Sequence, residues 1–297
     1  MKKITVEYKD DGKKIGTFLT SVYPKLNINN VYKALRKKDI KINGKRISEN
    51  LSVHYDDVVE VYITDDLLNG FSKKVEIATV YEDENIVIFN KPADMEVEGS
   101  SSLSSIVKCK YEYLEPCHRI DRNTTGLVIF AKNEESLNIM IEKFKNCELE
   151  KHYIACCYGI PKSNATLNAY LFKDSKKAVV YISKEPKKGY SKIQTSYCLI
   201  DENKEKNLSL LDVTLHTGKT HQIRAHLAFA GLPILGDGKY GSYEVNKRFK
   251  TYIQCLCSYS ISFKKSNEGS ENKLSYLNDL TIKLNKIPFL EYLKDTK

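Results

Sequence analysis

Apolar positions along this chain gather into short runs rich in β-branched and aromatic residues, and helical spacing is confined to a few windows. The runs are Thr79–Tyr81, Ile86–Phe89, Leu127–Ala131, Tyr153–Tyr158, Ala178–Ser183, Leu208–Leu215 and Ile253–Phe263. Apolar residues recur at three- and four-residue spacing over Ser136–Phe144 and Gln222–Ala230, which predicts helices there. Strands that outnumber helices, without strict in–out alternation, argue for an α+β fold with a mixed sheet.

The N-terminal part has a different texture. Asn29–Lys38 predicts a short helix with Asn29 as its N-cap and Val31, Ala34 and Leu35 turned inward. Ile40–Ile47 alternates around Asn43-Gly44, a strong hairpin signal, and Asp56–Ile63 reads as a closing strand. The polar stretch Asp65–Lys74 then reads as a linker. The expected organisation is a first domain over 1–64, a linker over 65–74 and a second domain over 75–297, with Ser266–Asn272 a polar surface loop. No internal repeat or low-complexity tract is visible.

Charge narrows the class of partner. With 47 basic and 38 acidic residues the formal charge is +9 and the pI near 8.9, which suits a polyanion such as nucleic acid and is equally compatible with a basic protein that has none. Between Lys33 and Arg46 seven basic residues and one acid, Asp39, leave a local net of +6 on one helix and one hairpin. Such a run is a solvated face or an RNA-contacting one. The eight cysteines form no C-x-x-C pair, and His216, His221 and His226 are spaced by five with no paired Glu between them, so zinc spacing is absent and no metal is expected. The N-terminus lacks the apolar core of a signal peptide, and no stretch approaches the roughly 20 apolar residues that span a bilayer. A cytosolic location, with reduced cysteines acting as small buried hydrophobes, is the expectation.

The segment richest in chemistry is His118-Arg119-Ile120-Asp121-Arg122-Asn123-Thr124-Thr125-Gly126, placed directly before the strand Leu127–Ala131. It sets a carboxylate between two guanidinium groups, which favour its ionised form, and an ionised Asp at a strand edge can attack carbon or polarise water. A solvated Arg–Asp loop fits the same residues. Three further segments stand with it: Asn90-Lys91-Pro92-Ala93, Lys151-His152-Tyr153-Ile154-Ala155, and Thr217-Gly218-Lys219-Thr220-His221-Gln222-Ile223-Arg224-Ala225-His226-Leu227.

Together these segments resemble the RluA-type pseudouridine synthase family, through HRxDR-x-T-[ST]-G, K-x-Y-x-A and TG-[RK]-THQIR-x-H in that order. The N-terminal unit resembles an S4 RNA-binding domain, through Val31–Ile40, Ile42–Ile47 and Tyr55–Val61. The resemblance implies a catalytic domain built on a mixed, largely antiparallel sheet with flanking helices and a central cleft. The implied activity is isomerisation of uridine to pseudouridine in structured RNA, with no redox cofactor or metal. The base is detached at N1 and rejoined through C5, and the target must be flipped out or already unpaired.

By that resemblance Asp121 is the nucleophile, Arg224 its ion-pair partner and Tyr153 the stacking face for the base, able also to take part in proton transfer at C5. Arg119 fills the space the base vacates, or is a second neighbour of Asp121. Thr125 and Gly126 shape the turn that presents Asp121. Arg122, Thr125 and His221 join the substrate-binding set with Lys91, which meets phosphate, lines the pocket or is structural. Lys33, Arg36, Lys37 and Lys45 are the RNA-contacting residues expected of the first unit. The expected partner is RNA, ribosomal RNA of the large subunit ahead of transfer RNA, with no DNA or membrane and a monomeric chain. The chain departs from the family at Asp94–Gly99, where G-x-x-V-H-P is usual, so substrate handling there is open. The rival reading is an RNA-binding or ribosome-assembly factor whose active site has decayed.

Overall fold

In a computed structural model, the structure describes residues 2–63, 68, 76–99, 101–265 and 271–294. The expected linker over 65–74, Leu68 apart, and most of the loop over 266–272 lie outside the described residues. The chain divides into two compact units, Met1–Glu76 and Ile77–Lys297.

In the first unit, β1 (Lys2–Thr5), β4 (Val58–Val61), β2 (Ile40–Ile42) and β3 (Lys45–Ile47) form an antiparallel sheet in that spatial order. Helices α1 (Ile15–Val22) and α2 (Ile28–Arg36) supply Ile15, Phe18, Leu19, Val31 and Leu35 to a core with Ile40, Val59 and Val61. The cap of α2 is Asn27, whose side chain accepts the Asn29 N–H at 2.8 Å, so the helix starts two residues earlier than the sequence suggests. It also ends earlier: Lys38 takes a left-handed conformation (φ 58°), and the Lys38 and Asp39 N–H groups close back on Leu35 and Ala34. The Asn43-Gly44 turn has φ of 50° and 77°, the mirror-image geometry that matches strand twist. Strand β1 and helix α1 were not expected from the sequence. Strand β1 is short, with Ile4 as its one apolar residue, whereas Ile15, Phe18, Leu19 and Val22 of α1 do carry helical spacing, a signal present in the sequence.

The second unit is built on a sheet with the order β11-β10-β12-β13-β9-β14-β8-β6-β5. Its strands are β5 (Ala78–Glu82), β6 (Ile86–Lys91), β8 (Thr125–Ala131), β9 (Leu149–Tyr158), β10 (Ala165–Asp174), β11 (Val179–Ser183), β12 (Ser191–Asn203), β13 (Leu208–Leu215) and β14 (Leu256–Phe263). Two short strands pair off this path, β7 (Glu115–Pro116) with β8 and β15 (Thr281–Lys283) with β14. Neighbours along the path are antiparallel except β14 and β8, which are parallel. The expected α+β fold with a mixed, largely antiparallel sheet is therefore observed.

β6 and β8 are buried on both faces. Ile86, Ile88, Leu127 and Ile129 pack on one side with Met140 and Phe263, whereas Val87, Phe89, Val128 and Phe130 pack on the other with Val213 and Leu227. This two-sided burial is why those runs read as continuous rather than alternating. Helix α4 (Glu134–Lys145) covers the first side, with Asn133 as N-cap, acids in its first turn and Lys143 and Lys145 in its last. Helix α5 (Gln222–Phe229) follows β13. The remaining helices, α3 (Leu103–Val107), α6 (Tyr243–Arg248) and α7 (Leu290–Leu293), are short. Among the described residues no helix is long and apolar enough to cross a membrane.

The cysteine expectation holds only in part. Cys156, Cys157, Cys255 and Cys257 are buried, but Cys109, Cys147 and Cys198 are exposed.

One ionic cluster on β9 and β13 makes stability depend on pH. His152 Nδ1 lies 2.8 Å from Asp212 and Nε2 lies 2.8 Å from Glu150. The Asp212 hydrogen bond, against burial and helped by Glu150, raises the imidazole from 6.5 to about 9. The folded state thus holds this proton more tightly than the unfolded chain. The resulting stability is complete below about pH 6.5 and lost as pH rises through 9. Because the ring is half solvated, about 1–2 kcal/mol is expected rather than the full shift. Denaturant unfolding at pH 6 and 9.5 measures it, and His152→Asn should remove this loss of stability on raising the pH; an unchanged loss in the variant would assign it elsewhere.

Candidate active site

The HRIDR segment crosses from β7 to β8 as a tight turn. The Thr124 N–H closes on the Asp121 carbonyl at 3.0 Å, and Gln254 Nε2 donates to Thr124 Oγ1 at 2.7 Å. At the start of β8, Gly126 has φ 105°, and a Cβ there would stand 2.2 Å from the Ser258 carbonyl oxygen of β14. Only glycine lets the two parallel strands close at this point, which puts Asp121 beside the end of β14.

Opposite it, the loop after β13 is pinned by Gln222. Its Oε1 accepts from Thr217 Oγ1 and the Lys219 N–H, while its Nε2 donates to the Gln194 carbonyl and Thr195 Oγ1. His221, in the left-handed region (φ 52°), turns the chain into α5, so that Arg224 faces Asp121.

Arg224 Nη1 donates to Asp121 Oδ2 at 2.7 Å. Its other edge is forked on a second carboxylate, with Nε to Asp237 Oδ2 at 2.7 Å and Nη2 to Asp237 Oδ1 at 3.0 Å. Asp237 is 1% exposed. Burial alone would push its carboxyl up, but the Arg224 fork and the Lys239 and Tyr240 amides outweigh this and hold it below the usual range. His221 Nε2 stands 3.9 Å from Asp121 Oδ2, and its Nδ1 shares a 2.9 Å hydrogen bond with Tyr240 Oη. Burial, with Arg224 and Lys239 assisting it and Asp121 opposing, holds the His221 imidazole below its ordinary value.

Asp121, Arg224, His221 and Gln222 line a cavity of about 530 Å³. Tyr153 on β9 forms part of its wall, and burial pushes the phenol up to about 12, so it stays protonated at neutral pH. Arg119, Lys145, Lys151 and Lys219 also line the cavity, and Asp121 is the one acid among its described lining residues. A flat, uncharged ring could enter against Tyr153 with its phosphates toward these cations.

The structure thus brings together Asp121, Tyr153, Arg224, Arg119 and His221 as expected, and separates three others. Lys91 is fully buried and donates to the carbonyls of Pro92, Met95 and Arg122 at 2.8, 2.7 and 3.0 Å. It clamps the Asp121 turn from below rather than meeting phosphate, and burial lowers its ammonium to about 8. Thr125 is paired with Cys257 of β14 and directs its hydroxyl to the Leu256 carbonyl, outside the cavity lining. Arg122 points away to Asp94, with Nε to Oδ1 at 2.9 Å. Neither flanking arginine therefore pairs with Asp121; the distant Arg224 does.

The divergent segment is also accounted for. Asp94 stands where the family pattern has Gly and adopts φ 59°, a conformation that Asp tolerates better than most side chains. Met95 and Val97 are buried, Glu96 and Glu98 are exposed, and none of residues 94–99 lines the cavity.

Sequence reasoning missed the roles of Asp237, Tyr240 and Gln222. An available signal was Asp237 itself, an acid directly after the apolar run Leu232–Leu235 and bracketed by Gly236 and Gly238. A carboxylate in such a setting is buried with a partner.

Residues 85–229 match the model of the RNA pseudouridylate synthase family. The chain is 34% identical to an uncharacterized RNA pseudouridine synthase of Mycoplasma capricolum, across 95% of this chain and 97% of that protein. It is 30% identical to a ribosomal large subunit pseudouridine synthase C of Buchnera aphidicola, across 88% of each. The fold is similar to that of human RNA pseudouridylate synthase domain containing 1, with a TM-score of 0.58 at 20% identity over 75% of this chain and 94% of the other. With motifs, fold and relatives in agreement, the chain belongs to the RluA-type RNA pseudouridine synthases, isomerases that convert uridine to pseudouridine in RNA.

Proposed function

We propose that this enzyme isomerises uridine in large-subunit ribosomal RNA, with Asp121 as the nucleophile toward a flipped-out nucleotide. The observation that carries the reading is the 2.7 Å Arg224–Asp121 ion pair on the wall of a cavity that is otherwise cationic. The guanidinium favours the ionised carboxylate and fixes its orientation, both of which a nucleophile needs. Attack at the sugar C1′ or at the base C6 would use the same carboxylate. Tyr153 offers the stacking face for the uracil. Arg119 is exposed on the cavity wall and occupies the space from which the base has swung.

The choice of ribosomal RNA rests on several relatives named as ribosomal large subunit pseudouridine synthase C, and on the first unit read as an S4-like RNA anchor. Pseudouridine mapping of ribosomal and transfer RNA, with and without the gene, tests it. Loss of a site in large-subunit RNA is expected. Loss confined to transfer RNA would move the substrate, and loss of no site would favour a decayed RNA-binding factor.

In the first unit Lys33, Arg36, Lys37 and Lys45 are all exposed, and no ion pair engages them among the described residues. Phosphate contacts by these side chains would release counterions. Replacing the four with Gln should flatten the slope of log affinity against log salt by about 0.7–0.9 for each phosphate no longer neutralised. An unchanged slope in filter binding would remove this face from the RNA interface.

A further inference from the structure

We propose that Asp237 is a positioning residue for the isomerisation: it holds one edge of the Arg224 fork, so that Asp121 receives a single hydrogen bond and keeps one carboxylate oxygen free to react. The inference rests on Asp121 being the nucleophile.

A carboxylate facing a free guanidinium takes two parallel hydrogen bonds, one to each oxygen. That does not happen at Asp121. Its Oδ2 accepts from Arg224 Nη1 alone: Asp237 holds the Nε–Nη2 edge and so fixes the plane of the guanidinium, which meets Asp121 through Nη1 only. Asp237 in turn cannot move. Its Oδ1 also accepts the N–H groups of Lys239 and Tyr240, at 2.8 and 3.1 Å. Asn246 Nδ2 donates to the Asp237 carbonyl, and Asn246 Oδ1 accepts from the Gly236 N–H. A Cβ at Gly236 would stand 1.9 Å from the Ile253 carbonyl oxygen, and one at Gly241 would stand 2.4 Å from that of Asp237. The Tyr240 ring lies 5.3 Å from the Arg224 guanidinium. Arg224 is thus set before RNA arrives, so no reorganisation is needed during the reaction.

Charge points the same way. Two carboxylates share one guanidinium, which leaves one net negative charge. The Asp237 side chain is fully buried and doubly bonded to Arg224, whereas that of Asp121 is 27% exposed to the cavity. The uncompensated charge is therefore carried by the carboxylate that faces substrate. With Asp237 neutralised, Arg224 is free to fork onto both oxygens of Asp121 and quench it.

Asp237→Asn should lower kcat about 100-fold while KM stays within about threefold, the pattern of an interaction used in the transition state. A merely structural role would not produce the second expected result, which is non-additivity with Arg224→Lys. Lysine has no fork to direct, so the double variant should be no more than about threefold slower than the worse single one. Thermal midpoints and RNA affinity are measured alongside. If Asp237→Asn does not fold, Asp237→Glu, which displaces the charge by one methylene, is read in the same cycle by the same criteria. A kcat within threefold of wild type, or losses that multiply, would overturn the proposal. Asp121→Asn separates the two readings: if it stays active, the nucleophile assignment fails and this proposal with it. If it is inactive while the losses multiply, only the role of Asp237 fails.

Discussion

Asp121→Asn is expected to abolish pseudouridine formation, with C5 label released from uridine in RNA at least about 10⁴-fold more slowly than by wild type, or some 5 kcal/mol of transition-state stabilisation. The amide keeps the shape of the carboxylate but lacks its charge and nucleophilicity. The site should not collapse, because Arg224 remains forked on Asp237 whether or not residue 121 is charged. RNA affinity should stay within about threefold, since the one lost charge is an acid in a cationic cavity. Label release by the variant within tenfold of wild type would show that another group attacks. Weakened RNA binding in parallel would show that Asp121 holds substrate rather than reacting with it.

A large loss of stability is expected at Gly126. An alanine Cβ there would lie 2.2 Å from the Ser258 carbonyl oxygen and 2.7 Å from its nitrogen, at a φ of 105°. Both neighbours are backbone atoms of β14, so no rotamer change relieves the overlap; the parallel β8–β14 pair itself must separate. Gly126→Ala should cost more than about 4 kcal/mol or prevent accumulation of folded protein. Gly44→Ala is the control. Its φ is also positive, at 77°, but nothing lies within 4 Å of the new Cβ, so only the left-handed backbone cost of about 1–2 kcal/mol applies. Urea midpoints compare the two directly. A Gly126→Ala midpoint close to that of wild type would mean that the two strands do not approach tightly.

Legibility from sequence followed the range of the interactions. The strands β6, β8 and β13, α4 and the Asn43-Gly44 hairpin were readable because each carries its own signal in consecutive residues: an apolar run, a helical period or a turn dipeptide. The long strands β10 and β12 were not. Each mixes half-buried and polar positions along an outer part of the sheet, and only its neighbours supply the hydrogen-bonding partners that make it a strand. The N-cap of α2 was misplaced by two residues because Asn27 and Asn29 are both able to cap, and the choice depends on backbone geometry that composition does not encode.

By itself the sequence determined the class of fold, the motif set and that Asp121 matches the aspartate of the family's HRxDR motif, because spacing and residue type carry those. Adjacency in the chain offered Arg119 and Arg122 as neighbours of Asp121, whereas resemblance to the family offered Arg224. The tertiary structure decided between them. Adjacent side chains at a turn diverge, so Arg122 reaches Asp94 and Arg119 faces the cavity, while folding brings Arg224 from 103 positions away to 2.7 Å. The burial of Asp237 behind it, and the conversion of Lys91 from candidate phosphate ligand to internal clamp, are likewise consequences of packing. A charged group's role depends on which partners surround it once water is removed, and that is set by contacts between segments far apart in sequence.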